Sequence, residues 1–147
     1  MVKDHLNFYC WMKKVLVFGT FDIFHEGHWD FLKQARKHGE FLRVVVARNV
    51  TVLNVKGRLP RFSEGERVEA IKKSGLADEV VLGSLNDRYE VVREYKPDVI
   101  CLGYDQKQSL AELRRKLNES GMEKTEIIKL LPYKPEKYKS SLLREKM

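Results

Sequence analysis

Short apolar runs alternate with helix-like segments along the chain, and this alternation constrains the fold more than any other feature. The runs are VLVFG (15–19), LRVVVA (42–47), EVVLG (79–83), DVICLG (98–103) and EIIKLL (126–131). Continuous apolar runs of this length are typical of strands buried on both faces of a parallel sheet. Strands that alternate with helices form right-handed βαβ units. The sequence therefore predicts an α/β fold with a single doubly wound parallel sheet of about five strands.

Helices are predicted between these runs. Residues 26–38 place Phe31, Leu32 and Ala35 on one face, and Ser63 with Glu66 forms a capping box that opens a helix to about residue 74. Further helices are predicted over about 87–95 and 109–119, and a short one is capped by Ser140 or Ser141 near the C-terminus. The segment NVTVLNVKGRLPRF (49–62), with its glycine and proline, is interpreted as a loop.

The size and composition indicate a globular chain. A length of 147 residues fits one domain, predicted over residues 13–147, with residues 1–12 as an N-terminal extension. Hydrophobic residues make up 43% and charged residues 33%. No apolar run approaches the roughly 20 residues that cross a bilayer, so no membrane partner is expected. Cys10 and Cys101 are too few for a disulfide framework, and a cytoplasmic location is the default.

The net charge of +7 favours an anionic partner. Nucleic acid, a membrane surface and a phosphorylated small molecule all satisfy that condition. The chain contains no recognised nucleic-acid reader motif and no concentrated basic tract, so nucleic acid is not the expected partner.

Three distinctive segments follow predicted strands. They are GTFDIFHEGH (19–28), GYDQ (103–106) and PYKPEKYKSS (132–141). In a doubly wound sheet the ligand binds at the carboxyl ends of the strands, near the point where the strand order reverses. We therefore expect the functional residues to come from these segments.

The two histidines of the first segment admit three interpretations. Zinc would need a third and a fourth ligand, and neither cysteine lies in a suitable pattern. A packing role is possible, although imidazoles at a helix start usually face a polar environment at least in part. His28 falls in the first helical turn, where backbone N–H groups and the helix dipole favour an anion, and Gly27 leaves room for a phosphate. The pattern favours His25 and His28 as groups that face phosphate.

GTFDIFHEGH resembles the GTFDxxHxGH motif of the cytidylyltransferase-like nucleotidyltransferases. The similarity continues through KGRLPRFSEGER (56–67), LADEVVLG (76–83) and CLGYDQ (101–106), and covers roughly residues 14–141. Within the family, VVVARN, LGYDQ and the terminal KSS look most like the archaeal FAD synthetases, which adenylylate FMN with ATP. The resemblance implies a Rossmann-like fold of the HxGH nucleotidyltransferase type, and it implies that the protein is an enzyme that transfers a nucleotidyl group.

The resemblance also implies roles for particular residues. Groups that would contact the triphosphate, the acceptor or the transition state are His25, His28 and Lys56. Groups that would bind the nucleotide are Gly19, Thr20, Phe21, Asp22, Gly103, Tyr104, Asp105, Lys139, Ser140 and Ser141, with Asp22 organising its loop. Arg67 would bind phosphate or pair with helix carboxylates.

The implied partners are ATP and FMN, with a divalent cation, Mg²⁺, carried by the triphosphate rather than by a metal site of the protein. A homodimer is also implied. Lys139 stands where cytidylyltransferases carry an arginine, and a lysine offers a point charge without a bidentate fork. This departure favours the FAD synthetase resemblance over a cytidylyltransferase. The alternative with the same chemistry is a CTP-dependent enzyme acting on glycerol-3-phosphate or another polyol or sugar phosphate. Another is a non-catalytic nucleotide- or nucleic-acid-binding protein.

Overall fold

The computed structural model describes residues 12–103 and 110–132. The elements in chain order are β1 Lys14–Gly19, α1 Glu26–Arg36, β2 Phe41–Val46, α2 Asn49–Lys56, α3 Glu64–Ser74, β3 Glu79–Leu82, α4 Glu90–Tyr95, β4 Val99–Leu102, α5 Leu110–Glu119 and β5 Glu126–Lys129. The strands form one sheet in the order β3-β2-β1-β4-β5, and every neighbouring pair is parallel. The predicted α/β fold with five parallel strands is confirmed.

Helices cover both faces of the sheet. On one face, Leu32 of α1 and Ile71 of α3 belong to the same buried cluster as Val17 of β1. On the other face, Leu113 of α5 belongs to a cluster with Leu16 of β1, together with residues of α4. Successive residues of β1 thus enter opposite clusters, as expected for a strand with alternating side chains. The sheet is doubly wound.

The prediction of a loop over residues 49–62 is wrong for its first half, because Asn49–Lys56 forms α2. Arg48, at the N-cap, makes no side-chain cap hydrogen bond. The backbone amide of Asn49 instead donates a hydrogen bond, at 2.9 Å, to the carboxylate of Glu64, which lies fifteen residues after Asn49. Gly57, with φ 78°, closes the helix in the left-handed conformation. A cap supplied from another helix leaves no local sequence pattern, which is why α2 escaped prediction.

The sheet topology fixes the ligand edge. The chain runs from the central strand β1 to β2 and β3 on one side, and then crosses to β4 and β5 on the other. The carboxyl ends of β1 and β4 therefore lie side by side at the point of reversal. Val17 pairs with Cys101, and Gly19 and Gly103 each follow two residues later.

Some predictions fall on residues outside the described ranges. They are the N-terminal extension over 1–12, nearly all of which is undescribed, and the short C-terminal helix after Ser140 or Ser141. The domain boundary at residue 13 stays a prediction, with β1 beginning at Lys14. Across 12–103 and 110–132 there is no helix with the length and apolar character to span a membrane.

The turn between α1 and β2 gives a test of the fold. A Cβ at Gly39 would lie 2.6 Å from the Lys13 carbonyl oxygen and 2.6 Å from a methyl of Val15. That carbonyl accepts hydrogen bonds from Glu40 and Phe41, so it cannot retreat without losing them. Gly39→Ala should lower the free energy of unfolding by about 1–3 kcal/mol, the usual cost of overpacking.

Urea unfolding measures this change, with Gly65→Ala as the matched control. A Cβ at Gly65 meets nothing closer than 4.0 Å, and alanine is the better helix former in α3. The control should be neutral or slightly stabilising. Equal loss of stability in both variants would contradict the packing described for Gly39.

Candidate active site

A tight turn follows β1 and shapes the candidate site. Phe21 has a left-handed backbone, with φ 52°, and its side chain is buried. A Cβ at Gly19 would lie 2.6 Å from the Phe21 ring, so the ring lies directly over this residue. Only glycine at position 19 leaves room for this close approach.

His25 caps the N-terminus of α1. Its backbone is extended, and its Nδ1 accepts a hydrogen bond from the Gly27 amide at 2.9 Å, the bond that a serine or aspartate cap would make. Because Nδ1 is the acceptor, the neutral ring carries its proton on Nε2. Burial lowers the pKa of His25 from its ordinary value. His25 is therefore a helix cap that keeps an N–H donor on Nε2.

His28 lies among aromatic rings. Its ring stacks on His25 with centroids 4.0 Å apart, and it contacts Phe21 at 5.3 Å and Phe24 at 5.8 Å. The packing interpretation thus has direct support, while contact with phosphate stays a prediction. The two roles are compatible, because His28 is not fully buried.

The surroundings of His28 keep its ring neutral. Burial, with smaller contributions from the nearby His25 and Lys56, lowers the pKa of His28 to about 3. The Ile23 carbonyl favours the protonated ring, but nothing in the described part of the chain makes a hydrogen bond of good geometry with the buried Nδ1. At neutral pH His28 is an uncharged imidazole, which offers one N–H donor rather than a positive charge.

Lys56 brings a cation to the same place. It is the last residue of α2, and its Nζ donates to the Thr20 hydroxyl at 3.4 Å. Its charge makes a small contribution to the lowered pKa of His28, which is caused mainly by burial. The three side chains predicted to do chemistry therefore meet at the carboxyl end of β1.

A buried arginine and a buried aspartate hold this arrangement. Arg67 is 1% exposed and donates to the Thr20 carbonyl at 2.8 Å, the Asn49 side-chain oxygen at 2.7 Å and the Phe62 carbonyl at 3.2 Å. Burial lowers its pKa, while Asp22 and Glu64 act in the opposite direction, so the guanidinium stays charged. Its described hydrogen bonds go to neutral acceptors of the protein, and neither predicted role of Arg67 accounts for them.

Asp22 clamps the segment that follows α2. Its two carboxylate oxygens accept hydrogen bonds from the backbone N–H groups of Arg61 and Phe62, each at 3.0 Å. The aspartate itself is 3% exposed. This geometry fits the predicted role of Asp22 as the organiser of a loop, and the loop concerned is residues 57–62.

Sequence reasoning missed a second set of contacts behind the site. Glu64 accepts from Asn49 with one oxygen and from the Arg48 guanidinium with the other, at 3.2 Å. Arg48 also donates to the Gly83 carbonyl at 3.0 Å, beyond the end of β3. These residues connect the ends of β2 and β3 to α3. The sequence did contain a pattern that could have indicated these contacts: Arg48 and Asn49 come directly after the VVVA run, at the carboxyl end of β2.

The other nucleotide-binding predictions lie at or beyond the edge of the described residues. Gly103 is buried directly after β4, next to the turn that follows β1. The residues outside the described ranges are Tyr104, Asp105, Lys139, Ser140 and Ser141.

The chain leaving β5 is tied to α1. The Gln34 amide donates to the Leu131 carbonyl at 2.9 Å and accepts from the Leu131 N–H at 3.0 Å. Asp30 accepts from the same amide nitrogen at 2.7 Å and so orients it. The last described residues are thereby fixed to the helix that carries His28.

Comparisons with known proteins agree with this geometry. Residues 16–146 match the cytidylyltransferase-like family. The FAD synthase of Thermoplasma volcanium is 40% identical over 136 residues, which cover 92% of this chain and 94% of that protein. The FAD synthase of Methanococcoides burtonii is 40% identical over 119 residues, 81% of each chain.

Solved structures show the same fold. The lipopolysaccharide core biosynthesis protein from Thermoplasma volcanium superposes with a TM-score of 0.78 at 42% identity, over 83% of this chain and 98% of that one. A protein of unknown function from Archaeoglobus fulgidus, 21% identical over 80% of this chain and 89% of its own, reaches 0.67 and shares the fold. The chain belongs to the cytidylyltransferase-like family and is an enzyme of the nucleotidyltransferase class.

The depressed pKa of His28 makes stability depend on pH. Between about pH 6.5 and 3 the unfolded chain binds a proton that the folded protein excludes. Protonation therefore favours unfolding, and the contribution of His28 to stability falls as the pH drops through this range. In His28→Phe this contribution is absent, so the stability advantage of the wild type over the variant should shrink from pH 7 to pH 4.

Urea unfolding at several pH values measures this difference. Phe31→Leu is the matched control, since Phe31 packs on Phe21 without adding a titratable group. The difference between the wild type and this control should be the same at every pH. A difference for His28→Phe that does not vary with pH would show that His28 is not held neutral.

Proposed function

We propose that the protein is an FAD synthase, which transfers AMP from ATP to the phosphate of FMN and releases pyrophosphate. The observation that carries the proposal is the match to relatives of that name at about 40% identity over nearly the whole of both chains. The convergence of His25, His28 and Lys56 at the ligand edge supports the chemistry.

The reaction needs little from the protein beyond position and charge. An FMN phosphate oxygen, already ionised near neutral pH, attacks the α-phosphorus of ATP. The bond from that phosphorus to the bridging oxygen breaks, and pyrophosphate leaves with the electron pair. No proton has to be removed from the nucleophile, so a neutral imidazole is suited to the site as a donor rather than as a base.

The residues at the carboxyl end of β1 would stabilise the charge of the transition state. In this proposal His25 and His28 donate N–H groups to the phosphate oxygens, and Lys56 neutralises the α-phosphate or the acceptor phosphate. Thr20 would line the same pocket, while Arg67 would hold the pocket from behind rather than touch phosphate.

The remaining roles rest on the family resemblance. Gly103, Tyr104 and Asp105 would hold the nucleoside. Lys139 and the Ser140-Ser141 pair would bind the outer phosphates. A homodimer is proposed on the same ground, and light scattering would measure it. The cytoplasmic location also stays a prediction.

Enzymes of this class generally use a divalent cation. Within residues 12–103 and 110–132 no group of three or more His, Cys, Asp or Glu could hold a metal ion. Both oxygens of Asp22 already accept backbone hydrogen bonds. The donor set therefore suits a cation, which we propose to be Mg²⁺, that arrives bound to triphosphate oxygens.

A second candidate is cytidylyl transfer to a polyol or sugar phosphate. The name of one solved relative at 42% identity, a lipopolysaccharide core biosynthesis protein, fits a sugar phosphate as the acceptor and names no nucleotide. A panel of ATP or CTP with FMN or glycerol-3-phosphate, read as pyrophosphate release and flavin product, separates the two. Turnover with CTP alone would overturn the FAD synthase proposal. Salt-sensitive binding to nucleic acid without any pyrophosphate release would indicate a non-catalytic protein.

His28→Phe should lower kcat for FAD formation by about 10²–10³, the usual scale for loss of one transition-state donor. Phenylalanine retains a ring beside His25, Phe21 and Phe24, whereas alanine would leave a cavity. The effect is measured by steady-state kinetics, with circular dichroism used to show that the variant is folded. His38→Gln, a histidine just beyond the other end of α1, should leave kcat unchanged. A normal kcat in His28→Phe would show that the ring serves packing alone.

A further inference from the structure

The segment from Val50 to Phe62 exposes apolar side chains to an unusual extent. Its exposed members are Val50, Leu53, Val55, Leu59 and Phe62, at 47%, 41%, 78%, 60% and 37%. They are five of the nine large hydrophobic residues that are exposed in the described part of the chain. A surface helix normally turns polar residues to water, and a cluster of exposed apolar side chains marks a binding surface.

The same segment is basic and contains no acid. Residues 49–63 include no Asp or Glu, and their charged members are Lys56, Arg58 and Arg61, all exposed. Cations therefore interleave with apolar side chains from Leu53 to Phe62. This combination is complementary to a ligand that carries both negative charge and a large apolar group.

The segment adjoins the reacting centre. Lys56 lies 3.4 Å from the Thr20 hydroxyl. On α2, Leu53 comes one helical turn before Lys56, while Val55 is turned away from that side. The apolar side chain of Leu53 and the cation of Lys56 are thus neighbours on one face.

The end of the segment has a fixed backbone. The N–H of Phe62 donates to Asp22, and its carbonyl accepts from Arg67. The N–H of Arg61 is bound to Asp22 as well. A half-exposed aromatic ring on a backbone held at both ends is a preorganised surface for a planar ligand.

We propose that Leu53, Leu59 and Phe62 bind the planar aromatic ring of a phosphorylated acceptor, whose phosphate lies towards Lys56. With FMN as the acceptor, a point that rests on the proposed function, the ring is the isoalloxazine. A polyol phosphate has no such ring and would make no apolar contact with these side chains. The surface therefore selects for a flavin over a small polyol.

Kinetics with the full-length enzyme tests this assignment. Leu59→Ser and Leu53→Ser should each raise KM for FMN by about three- to tenfold, since the ligand would bury only the exposed part of each leucine, 60% and 41%, and full burial contributes about ten- to a hundredfold. KM for ATP should change by less than about twofold. Val55→Ser is the matched control, because it removes an apolar side chain of the same helix that is 78% exposed and lies outside the proposed contact. It should leave both KM values unchanged.

A binding titration separates the ring from the phosphate. Quenching of flavin fluorescence is followed with FMN and with riboflavin, which lacks the phosphate. Leu59→Ser should weaken both ligands by the same factor, whereas Lys56→Gln should weaken FMN and leave riboflavin unchanged. Phe62→Leu should reduce the quenching at saturation, because the aromatic stack is lost.

The outcomes distinguish this inference from the proposed function. If the wild type makes no FAD from any nucleotide, the proposed function fails, while loss of riboflavin binding in Leu59→Ser but not in Val55→Ser would still support the ring surface. If FAD forms and KM for FMN is unchanged in both serine variants, the ring surface is wrong. Light scattering that shows a dimer falling apart in these variants, with KM unchanged, would assign the surface to a second copy of the chain and would likewise overturn the inference.

Discussion

The buried guanidinium of Arg67 is the contact on which the candidate site depends. It holds the turn after β1, the first residue of α2 and the end of the 57–62 loop by three hydrogen bonds. The Asp22 carboxylate adds two hydrogen bonds between the turn and the loop, so buried charged groups set the relative position of these segments. The same carboxylate helps to keep Arg67 charged. A buried arginine with neutral acceptors and a carboxylate close by is costly to disturb, because any lost partner leaves a desolvated donor.

The histidine pair shows how one side chain can both pack and remain able to act. Burial among aromatic rings is what lowers the pKa of His28, so the packing contacts are also the cause of its electronic state. A neutral ring avoids the repulsion from Lys56 that a charged one would feel. In the proposed mechanism Lys56 therefore supplies positive charge to the phosphates, and the neutral imidazoles act as hydrogen-bond donors.

Sequence reasoning predicted the parts of the fold that local patterns encode. The valine-rich runs gave the strands, and Ser63 with Glu66 predicted the start of α3, where both hydrogen bonds of the capping box are present. The GTFDIFHEGH segment located the ligand edge. The prediction failed at α2, whose first amide is capped by Glu64 from another helix. It also missed the partners of Arg67, because three acceptors drawn from three segments become neighbours only after folding.

The bond between Gln34 and Leu131 gives α1 a second purpose. The helix begins beside the histidines, and about two turns later Gln34 binds the chain that leaves β5. An eleven-residue helix is about 16 Å long and resists bending, unlike a loop of the same length. The helix therefore acts as a spacer between the start of the site and the departure point of the C-terminal segment. A change in the length of α1 would therefore change the distance between the histidines and Leu131.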